Sequence, residues 1–384
     1  MIYSIFRSGN IPLLRKCAVV WIVCALLSGC WDSREIEELS VVLGVAIDVD
    51  QDILQLTYQH LIAQRNNENE FTNITTVSED SIQSASREQA KQVAHAPLYN
   101  FIRLILISDQ ALTNWRIDQL LDPFIRSYKP SRNSVVMVIE GSAKDALKNV
   151  GKHKDLPSVN LRDISKNSHS NAKIPEKITL GEVSIRVSQG ADFVIQRVHA
   201  NSSNRVAGGA LINGKTKKFA GWLSGEEVSG INWMLGNTKG TVIKAEAKGT
   251  NHMMTFEVDS VRSTLTPYVK GEDISFTLHI KTCLNMNESR AAAADFLKES
   301  FLQAAKKAVQ EEIKETVHRS LNKLQKKEKA DVIDFRTKLK VNHPKTWDRV
   351  KDNWPEMFSK IPVEVLVDVE VERTGAYSKG VGPS

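Results

Sequence analysis

The residues whose types and spacing most directly imply chemistry are Leu27-Ser28-Gly29-Cys30. A branched apolar residue, two small residues and a cysteine form the pattern at which bacterial chains are acylated and cut. Ser28 and Gly29 are small enough for a peptidase to draw the backbone into its cleft. The Cys30 thiol is the nearby nucleophile able to take a diacylglycerol in thioether linkage, and cleavage then leaves its amine free for N-acylation. Upstream stand Arg7, Arg15 and Lys16 with no Asp or Glu, followed by the apolar run from Cys17 to Leu27. That run is too short to span a bilayer, which needs about 20 apolar residues, and suits a signal-peptide core. Residues 1–29 therefore read as a leader, the alternative being an uncleaved anchor with a chance cysteine. Two acyl chains hold a protein stably where one is marginal, at about 0.8 kcal/mol per buried methylene.

Other strings offer less. Gly209-Ala210-Leu211-Ile212-Asn213-Gly214-Lys215-Thr216 fits the P-loop pattern letter for letter. A P-loop, however, needs a helix opening at its lysine, so that amides and the helix dipole face phosphate. Here Lys217 to Leu223 reads as strand, so the string is expected to be a hairpin around Asn213-Gly214 with a two-residue turn. Asp48, Asp50 and Asp52 lack the glycine and closing glutamate of a calcium loop and read as turn residues. Glu226 and Glu227 could pair as acid and base, but acidic residues at a helix start are explained by its dipole. The nine histidines form no metal or triad spacing. No catalytic residue, metal ligand or cofactor site emerges.

Of four cysteines, Cys17 and Cys24 leave with the leader and Cys30 is consumed by lipid. Cys283 alone remains, so an internal disulfide and a cysteine zinc site are excluded, and Cys283 is expected to be a buried small hydrophobe. The leader carries three of the 51 basic groups and none of the 45 acidic ones, leaving 48 against 45. Nearly balanced charge gives no basis for nucleic-acid binding.

The 355 residues that follow the leader exceed one ordinary core, and the fold class expected is mixed α+β in several subdomains. Residues 30–195 read as a smaller α/β domain. It begins with a helix cap at Asp32 and Glu35, and a hairpin follows from Val41–Val49 and Ile53–Ile62 around Asp50-Gln51-Asp52. Residues 64–78 are polar and read as loop. Helices are expected at Ser81–Ala94 and Asp109–Ser127, strands at Phe101–Ile107 and Ser134–Glu140, and a further helix from Ser142. The Lys-, Asn- and Ser-rich residues 151–178 read as an exposed excursion. Residues 196–240 read as a hairpin followed by a helix opened by Ser224 and Glu227. Residues 241–376 read as an antiparallel sheet packed by a long amphipathic helix, with 377–384 as a tail. The hairpin spans Met253–Leu265 and Ile274–Leu284, the helix runs from Ser289 to about Lys327, and valines alternate from Val363 to Val371.

Trp31-Asp32-Ser33-Arg34-Glu35-Ile36, immediately after the lipid-bearing cysteine, and Gly44-Val45-Ala46-Ile47-Asp48 resemble the Ger(x)C lipoproteins, the C subunits of spore nutrient germinant receptors. The resemblance continues through Gly208–Ile212, Phe219–Leu223, Glu227, Gly230 and Trp233, then Asp331–Phe335, Trp347, Trp354 and Arg373-Thr374-Gly375. Arg126–Asn133 and the segment after it depart from the pattern. The resemblance implies a non-enzymatic accessory subunit, lipid-anchored on the outer face of the spore inner membrane beside integral-membrane A-type and B-type receptor subunits. Trp31, Asp32, Arg34, Glu35 and Ile36, nearest the bilayer, would either orient the domain or merely cap its first helix. Two other classes share parts of the sequence. A transporter's solute-binding lipoprotein would show two similar lobes about a cleft, and an extracytoplasmic wall hydrolase would need an acid/base pair.

Overall fold

The computed structural model describes residues 18, 20–21, 39–62, 72–127, 130–149, 156–199, 205–247, 252–289 and 299–373. The fold is mixed α+β, with an N-terminal α/β sheet and a C-terminal α+β domain. β1 (Leu39–Asp50) and β2 (Ile53–Ile62) form the expected hairpin, with Asp50 opposite Ile53. Its two turn residues, Gln51 and Asp52, both take positive φ, the primed geometry that matches strand twist. β3 (Thr72–Glu79) then pairs with β2, where a loop was expected. Its run of β-branched residues suits a strand, but half of it faces solvent at the sheet edge, which gives it a loop-like composition.

α1 (Ile82–Gln89) follows, capped by the Ser81 hydroxyl, and leads through β4 (Ala96–Leu98) to the buried β5 (Leu104–Ser108). The single helix expected from Asp109 is two, α2 (Asp109–Asn114) and α3 (Ile117–Arg126). The break is stabilised from outside the segment, since the Lys217 carbonyl accepts the Ile117 N–H at 2.8 Å. Next come β6 (Val135–Glu140), α4 (Ala143–Lys148), α5 (Pro157–Ile164), β7 (Ile178–Thr179), α6 (Leu180–Ser188), β8 (Phe193–His199), β9 (Arg205–Ile212) and β10 (Phe219–Leu223). The main order is β10-β9-β8-β6-β5-β1-β2-β3, with β1, β5, β6 and β8 parallel.

Residues 156–178 are not an exposed excursion. Leu161 and Ile174 are buried with Leu104, Leu106, Met137 and Val198 on the second face of the sheet. A Cβ at Gly44 would lie 2.5 Å from Ser158 Cβ, so α5 rests directly on β1. The Ser158 N–H donates to Gln59 Oε1 at 3.1 Å. Buried serines do here what apolar residues do elsewhere, so composition concealed the contact.

Residues 196–240 do not stand apart as a subdomain: β9 and β10 extend the large sheet, whereas α7 (Gly225–Leu235) packs into the C-terminal core. The hairpin replaces the P-loop as expected, but its connection is longer. Ile212 faces Phe219, and Asn213 Oδ1 accepts the N–H groups of Lys215 and Thr216 at 3.0 and 2.8 Å. Gly214 does not take positive φ; a Cβ there would strike the Ala191 carbonyl.

The C-terminal domain comprises β11 (Val242–Ala247), β12 (His252–Lys270), β13 (Asp273–Ser289), α8 (Glu299–Asn322), α9 (Phe335–Asn342), α10 (Pro344–Val350), α11 (Trp354–Phe358) and β14 (Val363–Arg373). The sheet is mixed rather than antiparallel: β14 runs parallel to β13, because the helices between them return the chain to the same end. The long helix does not begin at Ser289 as expected. Ser289 still belongs to β13, and the helix closes in a π-helical turn over 323–328, ended by Lys329 at φ 51°. Its stripe holds, with Ala305, Val309, Ile313, Val317, Leu321 and Leu324 buried in the core cluster.

His60, buried in β2, carries a pH-dependent contribution to stability. Gln89 Nε2 lies 2.7 Å and Thr75 Oγ1 2.9 Å from its Nε2, while Ser40 Oγ lies 2.8 Å from Nδ1. The network assigns the proton to Nδ1. Burial lowers its pKa from 6.5 to about 4. Between those values the unfolded chain binds a proton that the folded chain refuses. The contribution is therefore fully present above pH 6.5 and lost as pH falls through 4, up to about 3 kcal/mol. Acidifying across this range should cost the parent more of its urea midpoint than it costs His60→Gln; identical slopes would refute the assignment.

Candidate functional site

Leu27, Ser28, Gly29 and Cys30, and with them Trp31, Asp32, Arg34, Glu35 and Ile36, lie outside the described residues. Among the described residues no helix is long and apolar enough to cross a membrane, and no group of His, Cys, Asp and Glu could hold a metal ion. Asp48, Glu226, Glu227 and Cys283, also weighed for chemistry, have structural partners. Asp48 accepts the N–H groups of Ala143 and Lys144, each at 2.8 Å, and burial raises its pKa. Glu226 pairs with Lys173 at 2.6 Å, and Glu227 completes a capping box with Ser224. Cys283 is half-buried on the outer sheet face rather than in the core, with Glu370 Oε2 3.5 Å away; partial burial raises its pKa.

Several residues that carried the resemblance gather instead at the junction of the two sheets. Asp331 sits after the π-helical turn, fully buried beneath α9 and α11. Its Oδ1 accepts the N–H groups of Phe335 at 3.0 Å and Ile333 at 3.3 Å. Its Oδ2 accepts the Arg336 N–H at 2.7 Å and the Trp354 indole N–H at 3.2 Å. The left-handed conformation of Asp334, at φ 62°, bends the chain so that amides on both sides converge on one carboxylate. Burial lifts the Asp331 pKa to about 6, opposed by the Arg336 and Phe335 amides.

A second carboxylate ties this loop to the large sheet. Asp192, just before β8, accepts the Gly214 N–H at 2.7 Å and the Asp331 N–H at 2.9 Å. Burial raises its pKa too, against those two amides and the nearby Arg336 charge. Arg336 Nη1 donates to the Gly190 carbonyl at 2.7 Å, and Arg186 pairs with Asp334 at 3.4 Å. Beside them lies an open groove of about 720 Å³ between α6 and α9, lined by Ile185, Arg186, Arg336, Lys340 and Trp347.

Around this polar clamp the cores merge. Leu211 and Leu223 of the large sheet belong to the same buried cluster as Trp233, Val317 and Phe335. Gly230 lets α7 and α8 cross closely: a Cβ there would overlap Ser320 Oγ, which itself donates to the Glu227 carbonyl at 2.7 Å. Sequence patterning alone did not reveal the clamp, because neither Asp192 nor Asp331 sits in a motif of its own. The one available signal was the run Asp331-Val332-Ile333-Asp334-Phe335, unusually apolar around two acids.

The carboxylates of Asp192 and Asp331 are saturated by N–H donors, so the site is a joint between domains, and the class it defines is a two-domain α+β protein built to hold one geometry. The comparisons agree in extent. Residues 32–200 match the model of the spore germination protein N-terminal domain, and residues 207–375 match that of the spore germination B3/GerAC-like C-terminal domain. The chain belongs to the Ger(x)C family. It is 29% identical to the spore germination protein YndF of Bacillus subtilis (strain 168), covering 94% of this chain and 98% of that protein. It is 27% identical to spore germination protein B3 of the same organism, covering 95% and 99%. The crystal structure of the GerBC protein shares the fold with a TM-score of 0.61, at 24% identity over 85% of this chain and 96% of that one.

Proposed function

We propose that this chain is the lipid-anchored accessory subunit of a membrane germinant receptor complex required for nutrient-triggered spore germination. Cys30, exposed by cleavage after Leu27-Ser28-Gly29, carries the diacylglycerol and an N-acyl chain, and holds the domains on the outer face of the spore inner membrane. Its partners are integral-membrane A-type and B-type subunits and the lipid itself, with no cofactor and no catalysis. The observation carrying this reading is the lipidation pattern at the head of a chain that matches spore germination proteins along nearly its whole length. A tether raises the effective concentration beside membrane partners, so modest contacts suffice. The two domains are built differently, which does not suit the paired lobes of a solute-binding lipoprotein.

Deleting the gene in its host tests the reading. Spores should lose the nutrient-triggered response while germinating normally when a nutrient-independent trigger bypasses the receptors. Unchanged nutrient germination, in a host without a redundant receptor, would sink it.

A further inference from the structure

We infer that the end of the large sheet from which the chain leads back to Cys30 rests on anionic phospholipid, through Phe101, Arg103, Arg132, Ile185, Lys338 and Val341. The inference rests on the lipid-anchor reading.

The strands set the geometry. β1, β5, β6 and β8 are parallel, with Arg103 N–H bonded to the Leu43 carbonyl at 2.8 Å and Val135 N–H to that of Arg103 at 2.9 Å. Their N-terminal ends therefore lie together. β1 opens at Leu39, four residues before Leu43, and so projects roughly 13 Å beyond them. Cys30 is nine residues further back, a tether of about 30 Å at most. Three strand spacings, about 14 Å, separate β1 from β8. The bond from Arg336 to Gly190, just ahead of β8, brings α6 and α9 to the same end. Whatever surface stands there is kept within tether reach of the bilayer.

That surface has the composition of a membrane-contacting one. Phe101 is 44% exposed, Ile185 55% and Val341 73%, three of the ten exposed large apolar side chains among the described residues. Arg103, Arg132, Lys338 and Lys340 are exposed among them. Residues 336–351 hold six basic side chains and one acidic one. Among the described residues at this end, Glu182 is engaged in the capping box of α6 and Asp334 with Arg186. The opposite end of the sheet carries Asp50, Asp52 and Asp109, with Glu140 there paired to Arg197. Among the described residues the charge is thus polarised along the strands, with the more basic end toward the anchor, as attraction to an anionic leaflet requires. Apolar side chains interspersed with cations suit the headgroup boundary.

The test uses the full lipidated protein, anchored in vesicles of phosphatidylcholine alone or with roughly one part in four phosphatidylglycerol. Amide hydrogen exchange over 99–103 and 337–345 should slow several-fold on the anionic vesicles only, and about 0.5 M salt should reverse it. Lys338→Glu with Lys340→Glu should abolish the slowing while β13 exchanges as before, which shows the fold intact. Equal exchange on both vesicles overturns the inference, including equal protection, which would point to a protein neighbour. Mass spectrometry judges the anchor separately. Should Cys30 be bare, cosedimentation of the full chain with the anionic vesicles decides the patch: the double charge reversal should weaken binding about tenfold or more, and absence of binding by the parent overturns it.

Discussion

Asp331→Ala is expected to lower the stability of the folded chain by about 3–5 kcal/mol at pH 7. The side chain is fully buried and its two oxygens accept four N–H groups, from Ile333, Phe335, Arg336 and the Trp354 indole. Alanine leaves all four without a partner in a region that excludes water, and removes the reason for the left-handed bend at Asp334. Asp331→Asn should lose less, since one oxygen survives, but its amide would point donors at donors. Denaturant midpoints of parent and both variants measure this; a loss below about 1 kcal/mol for alanine would mean that water replaces the carboxylate. The pH dependence adds a signature. The pKa of Asp331, raised from 3.8 to about 6, makes the folded state bind a proton more readily than the unfolded one. Its contribution is fully present below pH 3.8 and is lost as pH rises through 6. That trend opposes the His60 trend, so the parent should show a shallower acid profile than Asp331→Ala.

The same residues explain what could and could not be read in advance. Periodicity revealed the β1–β2 and β12–β13 hairpins and the α8 stripe, because each buries one face against a large core and its apolar residues must keep step. It failed at β3, whose outer face is wet, and over 156–178, where Ser158 and a bare Gly44 make the contact that apolar residues usually make. The parallel placement of β14 was equally hidden, since alternation fixes a strand's faces and not its neighbour's direction. The joint at Asp192 and Asp331 joins residues 139 positions apart, and no local pattern encodes such a pairing. The resemblance had touched the Asp331–Phe335 run, and the structure supplies the reason those residue types stand there: Asp331 is buried as a hydrogen-bond acceptor rather than as a reagent, and Asp334 makes the left-handed bend that turns the amides toward it.

Cys30→Ala is expected to release the protein from the membrane fraction and to lower nutrient-triggered germination by more than tenfold, with the folded domains unchanged. The serine-glycine pair before it has no other evident use, and the apolar run upstream is too short to replace an anchor by spanning the bilayer. Without the thiol there is no thioether, and without the thioether the leader is not removed at Gly29. Two acyl chains contribute at about 0.8 kcal/mol per buried methylene, far more than surface contacts alone supply, so the basic end of the sheet cannot by itself retain the protein in salt. The effect should therefore split by ionic strength: residual association of Cys30→Ala with spore membranes in dilute buffer, and full release after a high-salt wash. Fractionation with immunodetection, alongside intact-mass measurement of the parent, reads both arms. If the variant stays membrane-bound in high salt and its spores answer nutrients normally, a fatty tether is not what holds this subunit beside its partners.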